Sequence, residues 1–275
     1  MTTSNVRRIL VALDASPHSH AALEAAAALA VPLQAELAGI FVLDAELLRM
    51  SALPEARETG LTSARRRTLN PETMERALKL QAERARKSLE DIARHHRLAT
   101  TFQLMRGNVL AELLRAAEQT DLLAMGLIGQ MNVTRPRLGS TVRGVTSQAA
   151  CSVLLLSPGV RKGSAVVAVY GRSANANSAL AIASQLAAQR DSPLVVLVCA
   201  PEETAAPLRE AVAEQLASAG DGSVAETIDP NGFERLKAAL EQHDAGLLVM
   251  ASDCELIEGH QDQFATLDVP VLLAR

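Results

Sequence analysis

The sequence predicts an α/β fold in which one open, mostly parallel sheet flanked by helices occurs twice in tandem. Two observations support this prediction. Short apolar segments that end in turn signals alternate with helical segments, which is typical of parallel sheets. The same order of segments then starts again after a stretch rich in proline and glycine, so the chain repeats itself.

The composition agrees with sheets that are covered by helices. Of the 275 residues, 48% are apolar but only 2% are aromatic, so the cores must be aliphatic, which suits helices packed on a parallel sheet. The net charge of −4 argues against a broad nucleic-acid surface. No run reaches about 18 apolar residues and no signal peptide is evident, so we expect no membrane span and a cytoplasmic protein.

The elements of the first copy follow the order β-α-β-α-β-α-β-α-β. Residues 8–16 (RILVALDAS) form an apolar run that ends at Ser16 and Pro17, which favour the N-cap and first position of a helix. The other predicted segments are a helix at 21–30, a strand at 37–44, a long loop or short helical excursion at 45–70, a helix at 70–97, a strand at 99–105, a helix at 108–119, a strand at 121–126, a helix from about Ser140 and a strand at 152–157.

The second copy aligns with the first without a gap at its start. Residues 8–30 (RILVALDASPHSHAALEAAAALA) match 165–187 (AVVAVYGRSANANSALAIASQLA). We therefore predict one domain at 1–158 and a second at 164–275.

The two copies differ at a few telling positions. Asp14 aligns with Gly171, Gly126 with Ala251 and Gly129 with Cys254. Between its fourth and fifth strands the second copy is also shorter by about seven residues, so it lacks the glycine-containing loop.

The segment GLIGQMNVTRPRLGST carries the strongest functional signal. Gly126 ends a predicted strand, Gly129 follows, and Gly139 precedes a helix that opens with the hydroxyl residues Ser140 and Thr141. Glycine lets the main chain approach a ligand closely, and a helix N-terminus offers free N–H groups and the positive end of a dipole. Together these features predict a phosphate-binding cradle.

This spacing resembles the G-x2-G-x9-G-[Ser/Thr] motif of ATP-binding universal stress proteins. Gly126, Gly129, Gly139 and Ser140 match it without a gap, and DLLAMG, SVLLLS and LVALDAS are also similar to that family. The resemblance covers residues 6–157 well and 164–275 more weakly, so the whole chain resembles a tandem universal stress protein.

The resemblance implies a doubly wound, Rossmann-like fold with five parallel strands per domain in the order 3-2-1-4-5, and a site for an adenine nucleotide. The implied nucleotide-binding residues are Ala12, Leu13, Asp14, Val42, Met125, Gly126, Gly129, Gly139, Ser140 and Thr141. In this scheme Asp14 accepts hydrogen bonds from ligand hydroxyls or holds a metal through water. Val42 and the main chain near Leu13 flank the base, and Met125 and Gly126 border the ribose and phosphates. The second copy lacks this aspartate and all three glycines, so we expect one site per chain.

The functional hypothesis is a stress-response regulator that binds ATP, with Mg²⁺ or Mn²⁺, in its first domain and uses it to bias a conformation or a partner interaction. The second domain would be a degenerate partner that packs as in a dimer; a homodimer and an unidentified protein partner are left open. No catalytic residues are evident, so we expect at most slow hydrolysis. The alternatives are an interaction or scaffold module without ligand and, less favoured by the residues, an adenylating enzyme.

Several residues have simpler explanations. Asp14 would also serve as a helix cap, and Arg135 and Arg137 either add positive charge to the loop or are solvated. The histidines at 18, 20, 95 and 96 are expected to be exposed. The cysteines at 151, 199 and 254 are odd in number and far apart, which argues against disulfides and zinc and favours buried thiols.

Overall fold

The computed structural model defines the elements of both halves of the chain. It describes residues 6–53, 57–59, 66–68, 70–127, 138–157, 159, 163–217, 223–257 and 260–275. The strands are β1 (Arg8–Ala12), β2 (Glu36–Asp44), β3 (Arg57–Thr59), β4 (Arg66–Thr68), β5 (Thr100–Gly107), β6 (Leu122–Gly126), β7 (Ser152–Leu156), β8 (Ala165–Gly171), β9 (Leu194–Cys199), β10 (Ser223–Ile228), β11 (Ala245–Ala251) and β12 (Val271–Ala274). The helices are α1 (Pro17–Leu33), α2 (Ala45–Ser51), α3 (Pro71–His96), α4 (Val109–Ala117), α5 (Ser140–Gln148), α6 (Ala176–Gln189), α7 (Ala206–Ala217) and α8 (Phe233–Gln242).

A ten-stranded sheet runs through the molecule in the order β10-β9-β8-β11-β12-β7-β6-β1-β2-β5. If the small β3–β4 hairpin is set aside, the strand order 3-2-1-4-5 occurs twice, once in each half. All pairs within a half are parallel, whereas β7 and β12 join the halves as an antiparallel pair, with Leu154 opposite Leu272. The predicted fold class is confirmed. The division into domains at 1–158 and 164–275 stays a prediction.

The inner strands are apolar because both faces of the sheet are covered. Every residue of β7 (SVLLL) and of β8 (AVVAVYG) is buried, as expected for parallel strands between two helical layers. On α1, Ala22, Ala26 and Ala30 are fully buried. Their small side chains let this helix lie close to the sheet.

The helix starts follow capping residues that the sequence displays. Ser16, Asn70 and Asn108 each accept a hydrogen bond from a main-chain N–H in the first turn of α1, α3 and α4. These three helices agree with the predicted positions. No helix among those described is both long enough and apolar enough to cross a membrane.

The segment 45–70 has more structure than an irregular loop. Asp44 caps α2 by accepting hydrogen bonds from the N–H groups of Glu46 (2.8 Å) and Leu47 (3.3 Å). The short strands β3 and β4 then pair as an antiparallel hairpin. The prediction of a helical excursion was right, but the hairpin was not anticipated because three-residue strands carry no readable periodicity.

The second half has no described counterpart of α5. Between β11 and β12, only two short 3₁₀ helices are seen among the residues that are described there, Glu255–Ile257 and Gln261–Thr266. This agrees with the shortened connection in the sequence.

The helix α5 touches the second half along its length. Arg143 forms an ion pair with Asp262, and Arg275 donates to the carbonyl of Thr146 over 2.7 Å. The main-chain N–H of Arg275 also lies 3.3 Å from the hydroxyl of Ser152 on β7. The end of the chain is therefore anchored on the first half.

Candidate functional site

The predicted site residues of the first half come together at the carboxyl ends of three neighbouring strands. The strand β1 lies between β2 and β6, so its end adjoins theirs. Ala12, Asp14 and Val42 are partly exposed there, whereas the side chains of Leu13 and Met125 are buried. Leu13 and Met125 therefore offer mainly their main-chain atoms to this edge, which is where open parallel sheets bind ligands.

The turn after β1 is strained at one residue. Ala15 has a φ of +58°, a left-handed conformation that costs a non-glycine residue roughly 1 kcal/mol or more. Asp14 stabilises the turn, since its Oδ1 accepts a hydrogen bond from the N–H of Ser16 over 2.9 Å. The cap of α1 is Ser16 itself, whose hydroxyl accepts from the N–H of Ser19. Asp14 thus shapes the strand-to-helix turn and is not the helix cap.

Gly126 is explained by packing inside the protein. A Cβ at this position would lie 2.6 Å from the Cβ of His18 and 2.9 Å from its carbonyl carbon. Both distances are shorter than real Cβ contacts, so glycine is what lets the first turn of α1 approach the end of β6.

Gly139, in contrast, has no packing explanation among the described residues. It is the N-cap of α5 with a φ of −60°, which any residue can adopt. A Cβ there would meet Val142 Cγ2 at 3.9 Å, an ordinary contact, and no other described atom within 4 Å. As far as the described residues go, the space beside its main chain is open, as a ligand that approaches closely requires.

The N-terminus of α5 is also free of an internal cap. The first four helices are each capped by a side chain, whereas α5, like α6 and α8, has no cap from a described side chain. Ser140 is exposed and Thr141 partly exposed at this end. The first-turn N–H groups and the positive end of the helix dipole thus lie next to two hydroxyls, a donor set that fits phosphate oxygens.

The two ends of the glycine-rich loop are held close together. The N–H of Gly139 points to the carbonyl of Leu127 across 3.5 Å, and the side chains of Leu127 and Leu138 are both buried. Gly126 and Gly139 therefore lie at the two ends of one loop. Gly129, Arg135 and Arg137 lie outside the described residues.

His18 is a member of this edge that the sequence did not single out. It was expected to be exposed, but it is partly buried against Gly126, and its Nδ1 has no hydrogen-bond partner among the described residues. Burial lowers the pKa of His18 below its ordinary value of 6.5, and the charge of Asp14 opposes this only in part. The expectation was wrong because contact with a strand end more than 100 residues away leaves no local signal. The signal that could have indicated this contact is a histidine in the first turn of the helix after β1, together with a glycine at the end of the neighbouring strand β6.

The lowered pKa of His18 predicts a loss of stability in mild acid. The unfolded chain takes up this proton near pH 6.5 and the folded chain only at lower pH, so the contribution of His18 is complete above pH 6.5 and is lost as the pH falls from there toward its folded pKa. We expect the Tm to fall between pH 7 and pH 5, and His18→Gln to reduce that slope. Thermal unfolding at several pH values measures it. His20→Gln, on the same helix with an exposed ring, is the control; an unchanged slope in His18→Gln would contradict the prediction.

The equivalent edge of the second half is closed by its own side chains. Asp253, just after β11, accepts a hydrogen bond from the N–H of Ala174 before α6 over 2.9 Å. A carboxylate of the chain thus accepts from the N–H of Ala174, a residue that aligns with Pro17 at the start of α1. Ala251 and Cys254 replace two of the glycines, and Gly171 replaces the aspartate.

The described side chains at this edge do not form a metal site by themselves. Within the described part of the chain, no three His, Cys, Asp or Glu side chains cluster as a metal site would require.

Comparisons with known proteins identify the family. The model of the "Universal stress protein family" matches residues 5–157, and no curated protein matches the chain. Among solved structures, a universal stress protein from Archaeoglobus fulgidus is 15% identical, with 100% of this chain and 99% of that chain covered and a TM-score of 0.73. A functionally unknown protein from Pseudomonas aeruginosa is 15% identical, with 99% and 93% covered and a TM-score of 0.62.

A universal stress protein in complex with cAMP is 18% identical, with 56% of this chain and 99% of that chain covered and a TM-score of 0.40. At such identities, likeness to a solved structure speaks for the fold alone. The family match, however, covers more than half of the 275 residues. The chain belongs to the universal stress protein family.

Proposed function

We propose that this protein is a cytoplasmic, stress-response regulator that binds one ATP per chain at the carboxyl edge of its first domain. The observation that carries the proposal is the pairing of an α5 N-terminus that no described side chain caps with Gly139, whose missing side chain has no packing explanation among the described residues. Such a helix start attracts anions, and open main chain lets a phosphate come close. In this proposal the second domain, at 164–275, is a degenerate tandem copy that binds no nucleotide in this way.

The phosphates would bind at α5. Its first-turn N–H groups and the hydroxyls of Ser140 and Thr141 donate hydrogen bonds, and the helix dipole favours the negative charge. The N–H of Gly139 is close to the carbonyl of Leu127, which holds the two ends of the loop together. Gly129, by its place in the motif, would add further main-chain donors.

The nucleoside would lie along the ends of β1 and β2. Asp14 is partly exposed and would accept hydrogen bonds from ribose hydroxyls. Val42 and Ala12, also partly exposed, offer an apolar surface to the base. A bound Mg²⁺ or Mn²⁺ would neutralise part of the phosphate charge, with Asp14 as a ligand through water.

The contacts of α5 support a regulatory role. The helix that would receive the phosphates at one end is tied to the second half by Arg143–Asp262 and by Arg275 on Thr146. A ligand that shifts or stiffens α5 would change those contacts, and so bias the relation of the two halves or the binding of a protein partner. We propose at most slow hydrolysis of ATP.

Isothermal titration of the full chain with ATP, ADP, AMP and cAMP, with and without Mg²⁺, tests the proposal. We expect saturable ATP binding with one molecule per chain. Asp14→Asn should weaken ATP binding by about 10-fold, since the amide lacks the negative charge of the carboxylate that would accept hydrogen bonds from the ribose. The same variant should keep its Tm because the amide oxygen still accepts from Ser16.

The matched control is Asp253→Asn, the corresponding change at the closed edge of the second half. It should leave ATP affinity unchanged. If the folded protein binds no adenine nucleotide, the interaction or scaffold module replaces this proposal. Two ATP molecules per chain would contradict the idea of a degenerate second domain.

A further inference from the structure

Two cysteines meet at the closed edge of the second half. Cys199 is the last residue of β9 and pairs with Gly171 at the end of β8. Cys254 follows β11, which flanks β8 on the other side, and its N–H turns back to the carbonyl of Ala251 over 3.1 Å. Gly171 thus lies between the two cysteines, at the position that aligns with Asp14 in the first half.

The two cysteine side chains face the same space and influence each other's ionisation, although they are 55 positions apart in the sequence. A Cβ added at Gly171 would lie 3.4 Å from the Cβ of Cys199 and 4.0 Å from the Sγ of Cys254. The absence of a side chain at 171 therefore leaves the space in which the thiols meet.

The pair is buried but close to the surface. Both cysteines are 3% exposed, while the neighbours of Cys254 on either side, Asp253 and Glu255, are exposed. Cys151, the third cysteine, is buried in the first half and serves as an internal comparison.

The interaction of the two thiols makes the sulfurs unequal. The interaction with Cys254, together with burial, raises the pKa of the Cys199 thiol. The same interaction lowers the pKa of the Cys254 thiol, against the opposing effects of burial and of the nearby acids. Cys254 is therefore the sulfur that ionises more readily.

We propose that Cys199 and Cys254 form a redox-active dithiol that closes reversibly into a disulfide when a small peroxide reaches it. The Cys254 thiolate attacks one oxygen of hydrogen peroxide, the O–O bond breaks, and hydroxide leaves and takes up the proton that Cys254 released. Cys254 is then a sulfenic acid. The sulfur of Cys199 attacks the Cys254 sulfur, the S–O bond breaks, and the proton of Cys199 leaves with the hydroxyl as a second water. Two electrons pass from the two sulfurs to the peroxide, and a dithiol reductant reverses the change.

Peptide mapping of the folded, full-length protein after treatment with hydrogen peroxide tests this. We expect loss of two thiols per chain, a mass lower by two hydrogen atoms, and one cross-linked peptide pair that contains Cys199 and Cys254. Dithiothreitol should restore both thiols. Cys151 should stay reduced, because burial raises the pKa of its thiol to about 11.

Variants separate this pair from general oxidation. Cys151→Ser should lose the remaining two thiols as the wild type does. Cys254→Ser should form no intramolecular disulfide, and Cys199→Ser should accumulate a sulfenic acid at Cys254 that dimedone traps. The peptide map of the peroxide-treated wild type tests the proposal even if a variant folds poorly. Persistence of both thiols in peroxide, a cross-link only between chains, or a disulfide that forms only in denaturant would overturn the proposal.

Discussion

Gly126→Val is expected to lower the free energy of unfolding by about 3 kcal/mol, the upper part of the range for overpacked cores. Its Cβ would lie 2.6 Å from the Cβ of His18 and 2.9 Å from the carbonyl carbon of that residue. A rotamer change cannot relieve contacts with a Cβ and main-chain atoms. The first turn of α1 must therefore move away from β6, at the cost of the buried packing beneath it. Equilibrium denaturation in urea measures the change.

The control is Gly139→Ala, at the other end of the same loop. Its Cβ would meet Val142 at an ordinary 3.9 Å. The variant should cost less than about 1 kcal/mol, the usual effect of a less favourable N-cap residue. Equal destabilisation by Gly126→Val and Gly139→Ala would show that the contact with His18 is not the reason for glycine at 126.

This contrast marks a limit of motif analysis. The spacing of Gly126 and Gly139 predicts one shared role, the binding of phosphates. In the structure the first glycine has a packing role of its own, and only the second leaves its main chain open among the described residues. The sequence cannot separate the two roles, because the neighbour of Gly126 is a residue of α1 far away in the chain.

The fold itself could be predicted because its signals are local and repeated. Apolar strands such as 152–157 and caps such as Ser16 and Asn70 mark each element, and the second copy repeats the order. The β3–β4 hairpin was not foreseen because its strands are too short for a pattern. The antiparallel pairing of β7 with β12 was also not foreseen, since apolar strands do not specify which neighbour they take.

The positions of the candidate residues at the sheet edge were predictable where residues follow strand ends, as Asp14 and Gly126 do; their role in binding stays a prediction. It was not predictable where function or shape depends on contacts between distant segments. His18 against Gly126 and Cys199 against Cys254 are contacts of this kind. The cysteines were predicted to be buried thiols, and all three are free and buried, but their sequence spacing did not indicate that two of them are neighbours in the fold.

Gly139→Glu is expected to weaken ATP binding by about 100-fold or more, which corresponds to about 2.7 kcal/mol of binding free energy. The added side chain would fill the open space beside the α5 N-terminus. Its carboxylate would also take the position that the helix dipole offers to a phosphate, and would repel the nucleotide charge at short range. The helix itself should tolerate the change, because a negative charge near an N-terminus is favourable. Binding should thus fall while the Tm stays near that of the wild type.

Two controls separate steric, charge and fold effects in the same titration. Gly139→Ala adds only a Cβ and should lose far less affinity than the glutamate variant. Gln148→Glu makes the same change of charge at the exposed C-terminal end of α5, about 13 Å from residue 139 at the helical rise of about 1.5 Å per residue, and should bind ATP nearly as the wild type does. If Gly139→Glu and Gln148→Glu weaken binding equally, net charge is responsible and not a phosphate at the start of α5. If Gly139→Glu binds ATP as tightly as the wild type, the phosphates lie elsewhere, and the glycine at 139 has another cause.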